Sequence, residues 1–101
     1  MGERRNPTQK KKKYWLDISK NVQQQIERLP GHVRQRIRER ISALADDPRP
    51  ADAKLMRGYT DHYRLALAEW RIMYRVDDEV IVVEVIKVGR KHGPEFYTDL
   101  E

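Results

Sequence analysis

Apolar residues recur with two different periods along this chain, and the change of period divides it. Val22, Ile26 and Leu29 are spaced i, i+4, i+7, and Val33, Ile37, Ile41 and Leu44 are spaced i, i+4, i+8, i+11. Each set lines one face of a helix. Ser19 can cap the first helix. Pro30-Gly31 breaks it and begins the second, which Asp46-Asp47-Pro48 ends, with Pro50 just beyond. So short a break predicts an antiparallel helical hairpin. Ahead of the helices, residues 14–18 alternate weakly, as a short first strand does.

From Tyr63 onward the period is two. Tyr63, Leu65 and Leu67 oppose Arg64, Ala66 and Ala68; Trp70, Ile72, Tyr74 and Val76 oppose Arg71, Met73 and Arg75. The interval at Ala68-Glu69 has room only for a tight turn, so the two runs predict a β-hairpin. Asp77-Asp78 marks the next turn. Residues 80–88 form a nearly continuous β-branched run, predicting a central strand buried on both faces, which Gly89 ends. Phe96-Tyr97 reads as a last short edge strand or a terminal turn. Helices followed by a meander of strands predict an α+β fold: an N-terminal helical hairpin packed on one face of a small antiparallel β-sheet, with the other face left for function.

The length, 101 residues, is that of one domain with a modest core. There are no cysteines, which excludes a disulfide framework and a thiolate metal site. His32, His62 and His92 fall on three different elements with no i, i+4 partner, so no metal site and no cofactor are expected. No apolar run is long enough to span a bilayer, and no apolar stretch follows the basic N-terminus as in a secretory signal; a cytoplasmic protein is the expectation.

The net charge of +5 changes the picture only through its distribution. Of 21 Lys and Arg, six lie in residues 1–13, against one acid, Glu3, of 16; beyond residue 13 the signs balance at fifteen each. Residues 1–13 read as a basic flexible tail, and residues 14–101 as the folded domain. The tail either solubilises or adds phosphate contacts; its lack of an apolar pattern favours the former. Within the neutral remainder, Lys54 and Arg57 precede the first hairpin strand, Arg64 lies on it, Arg71 and Arg75 lie on the next, and Arg90, Lys91 and His92 follow the central strand. The acids Asp77, Asp78 and Glu79 gather at the opposite turn. Exposed arginines on a strand are ordinary surface residues, and the arginines of the second helix, Arg34, Arg36, Arg38 and Arg40, read as a solvated face. Several cations converging on one sheet face, however, repel one another unless they share an anion such as a polyphosphate backbone. Trp15 and Trp70 are assigned to the core.

In order and spacing, Lys54-Leu55-Met56-Arg57-Gly58, Tyr63-Arg64-Leu65, Trp70 to Val76, Val85-Ile86-Lys87-Val88-Gly89-Arg90-Lys91 and then Tyr97 resemble the RelE branch of the RelE/ParE toxin superfamily. The resemblance covers about residues 14–98, including the helical pair ending in Asp-Pro. It implies a type II toxin that cleaves messenger RNA in the ribosomal A site without a metal, the 2′-hydroxyl attacking the adjacent phosphate. It further implies a cognate antitoxin (RelB-like, acidic and wrapping), with operator DNA met only through the antitoxin complex.

The implied catalytic residues are Arg64, Arg71, Lys91 and Tyr97, with Lys54, Arg57, Arg90 and His92 contacting RNA. Arginine stays protonated, so Arg64 and Arg71 are charge stabilisers. Lys91 acts as acid or charge clamp, and Tyr97 or His92 as the proton acceptor, unless Tyr97 stacks on a base. Ala66 stands where the family prototype has a second lysine, which leaves activation of the hydroxyl open. Two alternatives remain: a ParE-like inhibitor of DNA gyrase, and a non-catalytic homologue that acts as corepressor with its antitoxin.

Overall fold

The computed structural model describes residues 13–91. Its elements run β1 (Trp15–Ile18), α1 (Lys20–Glu27), α2 (Gly31–Ala43), β2 (Lys54–Leu55), β3 (His62–Leu67), β4 (Trp70–Asp77) and β5 (Val82–Arg90). The five strands make one sheet in the order β1-β5-β4-β3-β2. The fold is α+β, but the sheet is mixed: β1 runs parallel to β5, whereas the other neighbours are antiparallel. The expected purely antiparallel sheet is therefore corrected. Among the described residues a strand also comes first, and only then the helices. A strand that is followed by a helical crossover before rejoining its neighbour is free to pair in parallel, which a two-residue turn never permits.

Ser19 starts α1 as anticipated, its hydroxyl accepting the Val22 amide at 3.1 Å. Pro30 precedes α2 as its N-cap residue with extended backbone. Val22 and Ile26 from α1, Leu29 from the break, and Val33, Ile37, Ile41 and Leu44 from α2 then meet Leu65, Ile72, Tyr74, Val76, Val83, Val85 and Val88 from the sheet in one core. These are the helical i, i+4 stripe and the inward faces of the strands. Burying each aliphatic side chain contributes about 1.5–3 kcal/mol.

β5 departs from the expected strand. Ile81 has positive φ and belongs to the turn, so the strand starts at Val82. The β4–β5 register shifts between Met73, opposite Lys87, and Tyr74, opposite Val85. Ile86 is thus an extra residue, and the buried positions run Val83, Val85, Val88 instead of every second residue. A bulge of this kind re-aims the side chains beyond it. The expected run is not buried on both faces: Val80 is exposed and its other remaining members are only partly buried. β1 covers β5 only as far as Val85; further on, the Val88 amide donates to the Gln25 side chain of α1 at 2.9 Å.

The face away from the helices is only partly open. Met73 is fully buried there, beneath Met56 and Tyr59 of the segment that joins β2 to β3. Trp15 is 76% exposed on β1, so its assignment to the core is corrected, while Trp70 does pack against the core. The expected element at Phe96-Tyr97 lies outside the described residues.

Candidate functional site

Strand alternation places the cations. On β3, Arg64 and Ala66 share the face opposite Leu65, and on β4, Arg71 and Met73 share the face opposite Ile72. Lys54 pairs with Arg64, Ala66 with Arg71, and Arg71 in turn with Gly89 of β5. Two small residues, Ala66 and Gly89, therefore flank Arg71 and leave a depression. It measures about 220 Å³ and is lined by Asp52, Lys54, Arg64, Ala66, Arg71 and Lys91. Four of the cations picked out in the sequence converge there.

Backbone bonds at the β3–β4 turn organise the depression. Arg71 Nη1 donates to the carbonyls of Ala68 at 2.7 Å and Trp70 at 2.9 Å. The Lys91 amide donates to the Glu69 carbonyl at 2.9 Å, which ties the end of β5 to the same turn. Ala68 has positive φ, the first of only two residues between the strands; such tight loops favour left-handed backbone.

The remaining sequence candidates lie elsewhere. Arg90 follows Gly89 on β5 and so faces the helix side, paired with Glu69 and placed over the Trp70 ring at 5.5 Å. Arg57 is exposed in the β2–β3 connection and does not line the depression. Arg75 is on the expected face but at its far end, bonded to Glu84 at 3.1 Å with Asp77 at 3.6 Å; the Glu84 bond holds its guanidinium above the ordinary arginine range. His92 and Tyr97 lie outside the described residues.

Two features went unread in the sequence. Asp52 brings a carboxylate to the wall of a cationic depression, and its Oδ2 accepts from Arg40 of α2 at 2.7 Å. Arg49 ties three parts of the chain together. It donates to the Tyr63 hydroxyl at 2.7 Å and forks onto both oxygens of Asp78 at 2.8 and 3.2 Å, while the Tyr14 hydroxyl donates to Asp78 at 2.6 Å. Hydrogen bonding to Asp78 is the main cause that raises both the Arg49 guanidinium and the Tyr14 phenol above their usual pKa values. No sequence pattern announces pairs this far apart, although Pro48-Arg49-Pro50 fixes a stiff backbone from which such a clamp can work. The clamp holds the segment that leads into Asp52 and Lys54.

Among the described residues, no group of three or more His, Cys, Asp or Glu is placed to hold a metal ion, and no helix is long and apolar enough to cross a membrane. The cluster itself has the chemistry of a polyanion site, with donors fixed by backbone bonds and strand pairing on a concave surface.

Comparison with known proteins gives a consistent family. The profile of the ParE toxin of type II toxin–antitoxin systems, parDE, matches residues 8–92. The mRNA interferase toxin RelE of Escherichia coli K12 is 31% identical over 88 residues, covering 85% of this chain and 92% of that protein. A putative toxin RelE1 of Methanocaldococcus jannaschii is 29% identical over 86 residues, covering 80% of this chain and 93% of its own. Among solved structures, a free E. coli RelE in which arginines are replaced by alanine aligns with a TM-score of 0.74 at 31% identity, over 87% of this chain and 94% of that one. RelE in the intact E. coli RelBE toxin–antitoxin complex aligns with a TM-score of 0.69 at 32% identity, over 79% and 99% of the two chains.

Proposed function

The chain belongs to the RelE/ParE toxin superfamily, and from that membership we propose that it is the toxin of a type II toxin–antitoxin system and an mRNA endonuclease that acts on the ribosome. The observation that carries the reading is the convergence of Lys54, Arg64, Arg71 and Lys91 on one depression. The scissile phosphate sits among these cations. Arg64 and Arg71 stabilise the charge that grows on its non-bridging oxygens, since guanidinium stays protonated and forks onto phosphate. Lys54 holds the neighbouring backbone, and Lys91 protonates the departing 5′-oxygen. Tyr97 belongs to the same proposed catalytic set. Cleavage leaves a 2′,3′-cyclic phosphate and a 5′-hydroxyl.

A cognate acidic antitoxin of the RelB kind neutralises this protein in the cytoplasm, and operator DNA is met only through that complex. RelE chains solved with RelB support the partner class.

The test is a cell-free translation reaction with purified, antitoxin-free protein, mapping new 5′ ends on the message with and without ribosomes. Cuts that need ribosomes and disappear in Arg71→Ala are expected. The match to the ParE profile favours gyrase inhibition as the second reading. Intact message together with blocked DNA supercoiling would replace the nuclease by that activity.

A further inference from the structure

The depression holds one carboxylate among its described lining residues, and we propose that Asp52 is the proton acceptor of the site, a role that rests on the RNA-cleaving reading above. The cations that line the depression are all charge stabilisers or acids in their protonated forms, and Ala66, on its floor, offers no titrating group. Attack by a 2′-hydroxyl needs a base within reach, and a carboxylate is in its basic form throughout the neutral range.

The geometry suits the role. Arg40 of α2 anchors Oδ2 at 2.7 Å, and among the described residues no hydrogen bond engages Oδ1. The Arg49 clamp onto Tyr63 and Asp78 fixes the segment three residues upstream. Arg40, Lys54, Arg64, Arg71 and Lys91 are the charged groups around the carboxylate, so it sits beside a bound phosphate and not in its place. In the step, the proton on O2′ passes to an Asp52 oxygen and O2′ bonds to phosphorus. The bond from phosphorus to O5′ breaks, and O5′ takes a proton from the Lys91 ammonium. The products are the cyclic phosphate and a free 5′-hydroxyl, with the enzyme left holding its proton on Asp52 instead of Lys91 until solvent resets both.

The experiment is single-turnover cleavage of ribosome-bound message by the full chain, with RNA affinity and Tm measured in parallel. Asp52→Asn should lower the rate by about 10²–10⁴-fold while RNA affinity holds or rises, because a negative charge leaves a cationic site. Asp52→Glu should keep part of the activity. Ala66→Lys added to Asp52→Asn should recover about tenfold or more, with a rate that climbs toward alkaline pH, since an amine must lose its proton before it can act as base. A wild-type rate in Asp52→Asn overturns the assignment and passes the role to Tyr97 or His92. Equal losses of rate and Tm in Asp52→Asn and Arg40→Gln also overturn it, making Asp52 a strut. A wild-type protein that cuts no RNA overturns the nuclease reading instead, a result distinct from both.

Discussion

Ala66 and Arg71 stand opposite each other across the β3–β4 ladder, and the methyl group of one leaves the guanidinium of the other room to fold back onto the turn. Arg71 is thus held by the carbonyls of Ala68 and Trp70 before any phosphate arrives. Lysine in its place gathers its three donors on one nitrogen and lacks the fork that reaches the carbonyls on one side and a phosphate on the other. Arg71→Lys is expected to lower cleavage by roughly tenfold or more while Tm moves by less than about 3 °C. Single-turnover rates and a melting curve check both halves.

The cations also set the salt dependence of RNA binding. Each phosphate neutralised on a single strand contributes a slope of about −0.7 to log K against log salt. Lys54→Ala and Lys91→Ala should each weaken binding and flatten the slope by roughly that amount. Arg90→Ala, on the opposite face beside Glu69 and Trp70, should leave the slope unchanged. Fluorescence anisotropy on a short single-stranded RNA at several salt concentrations separates the three.

Arg49 bridges Tyr63 and Asp78, and its removal takes away three hydrogen bonds to those two side chains. The cluster is partly exposed, which reduces its worth, so Arg49→Ala should cost about 1–2 kcal/mol. That lowers Tm by roughly 4–8 °C per kcal/mol in a domain of this size. Chemical denaturation gives the free energy directly.

Alkaline pH should destabilise the fold through its tyrosines. Burial is the main cause that raises the Tyr74 phenol above the ordinary value of about 10, and the hydrogen bond to Asp78 is the main cause for Tyr14. In both, folding favours the protonated form. This contribution is complete below the unfolded pKa and is lost as pH rises through the folded one. Stability should therefore decline above about pH 10, and Tyr74→Phe should flatten the decline. The same variant lowers stability at neutral pH by about 1 kcal/mol, because the Pro48 carbonyl loses a donor at 2.8 Å. Urea titrations from pH 8 to 11 test both signs.

Met73 is fully buried beneath Met56, on the sheet face that carries the cations. Met73→Ala should cost about 2–5 kcal/mol. Met56→Ala should cost less and raise hydrogen exchange mainly in the β2–β3 connection, since that segment loses its anchor on Met73. Exchange measured by mass spectrometry resolves the two.

The parts of this fold that the sequence disclosed are those governed by local period. Val22, Ile26, Val33, Ile37 and Ile41 could face only one way on helices, and the Leu67 to Trp70 interval could hold only a tight turn. The parallel pairing of β1 was hidden, because four weakly alternating residues do not specify a partner that lies more than sixty residues away. The β5 bulge was hidden for a different reason: in a run of β-branched residues every register looks equally apolar. Met73 shows that a residue on the polar-facing side of a strand can be core when a loop crosses it. In the site, Arg64 and Arg71 were readable from alternation, and so, in principle, was the separation of Arg90 from Lys91, since strand neighbours face opposite sides. Asp52 carried no such signal; its place depends on a connection that Arg49 pins from a distance.

The parallel partnership of β1 with β5 has a consequence for how the chain comes to life. β5 is the last strand described and lies between β1 and β4, so β1 joins the sheet only once β5 has been made. Until then β1 has no mate, and the hairpin of β3 and β4 has one edge open. Contacts of such long sequence separation slow folding and make its completion wait for β5. The depression cannot form early either, because Lys91 reaches its place only once β5 is docked. A nascent fragment that ends before β5 therefore carries Lys54, Arg64 and Arg71 on paired strands but lacks Lys91, which closes the depression.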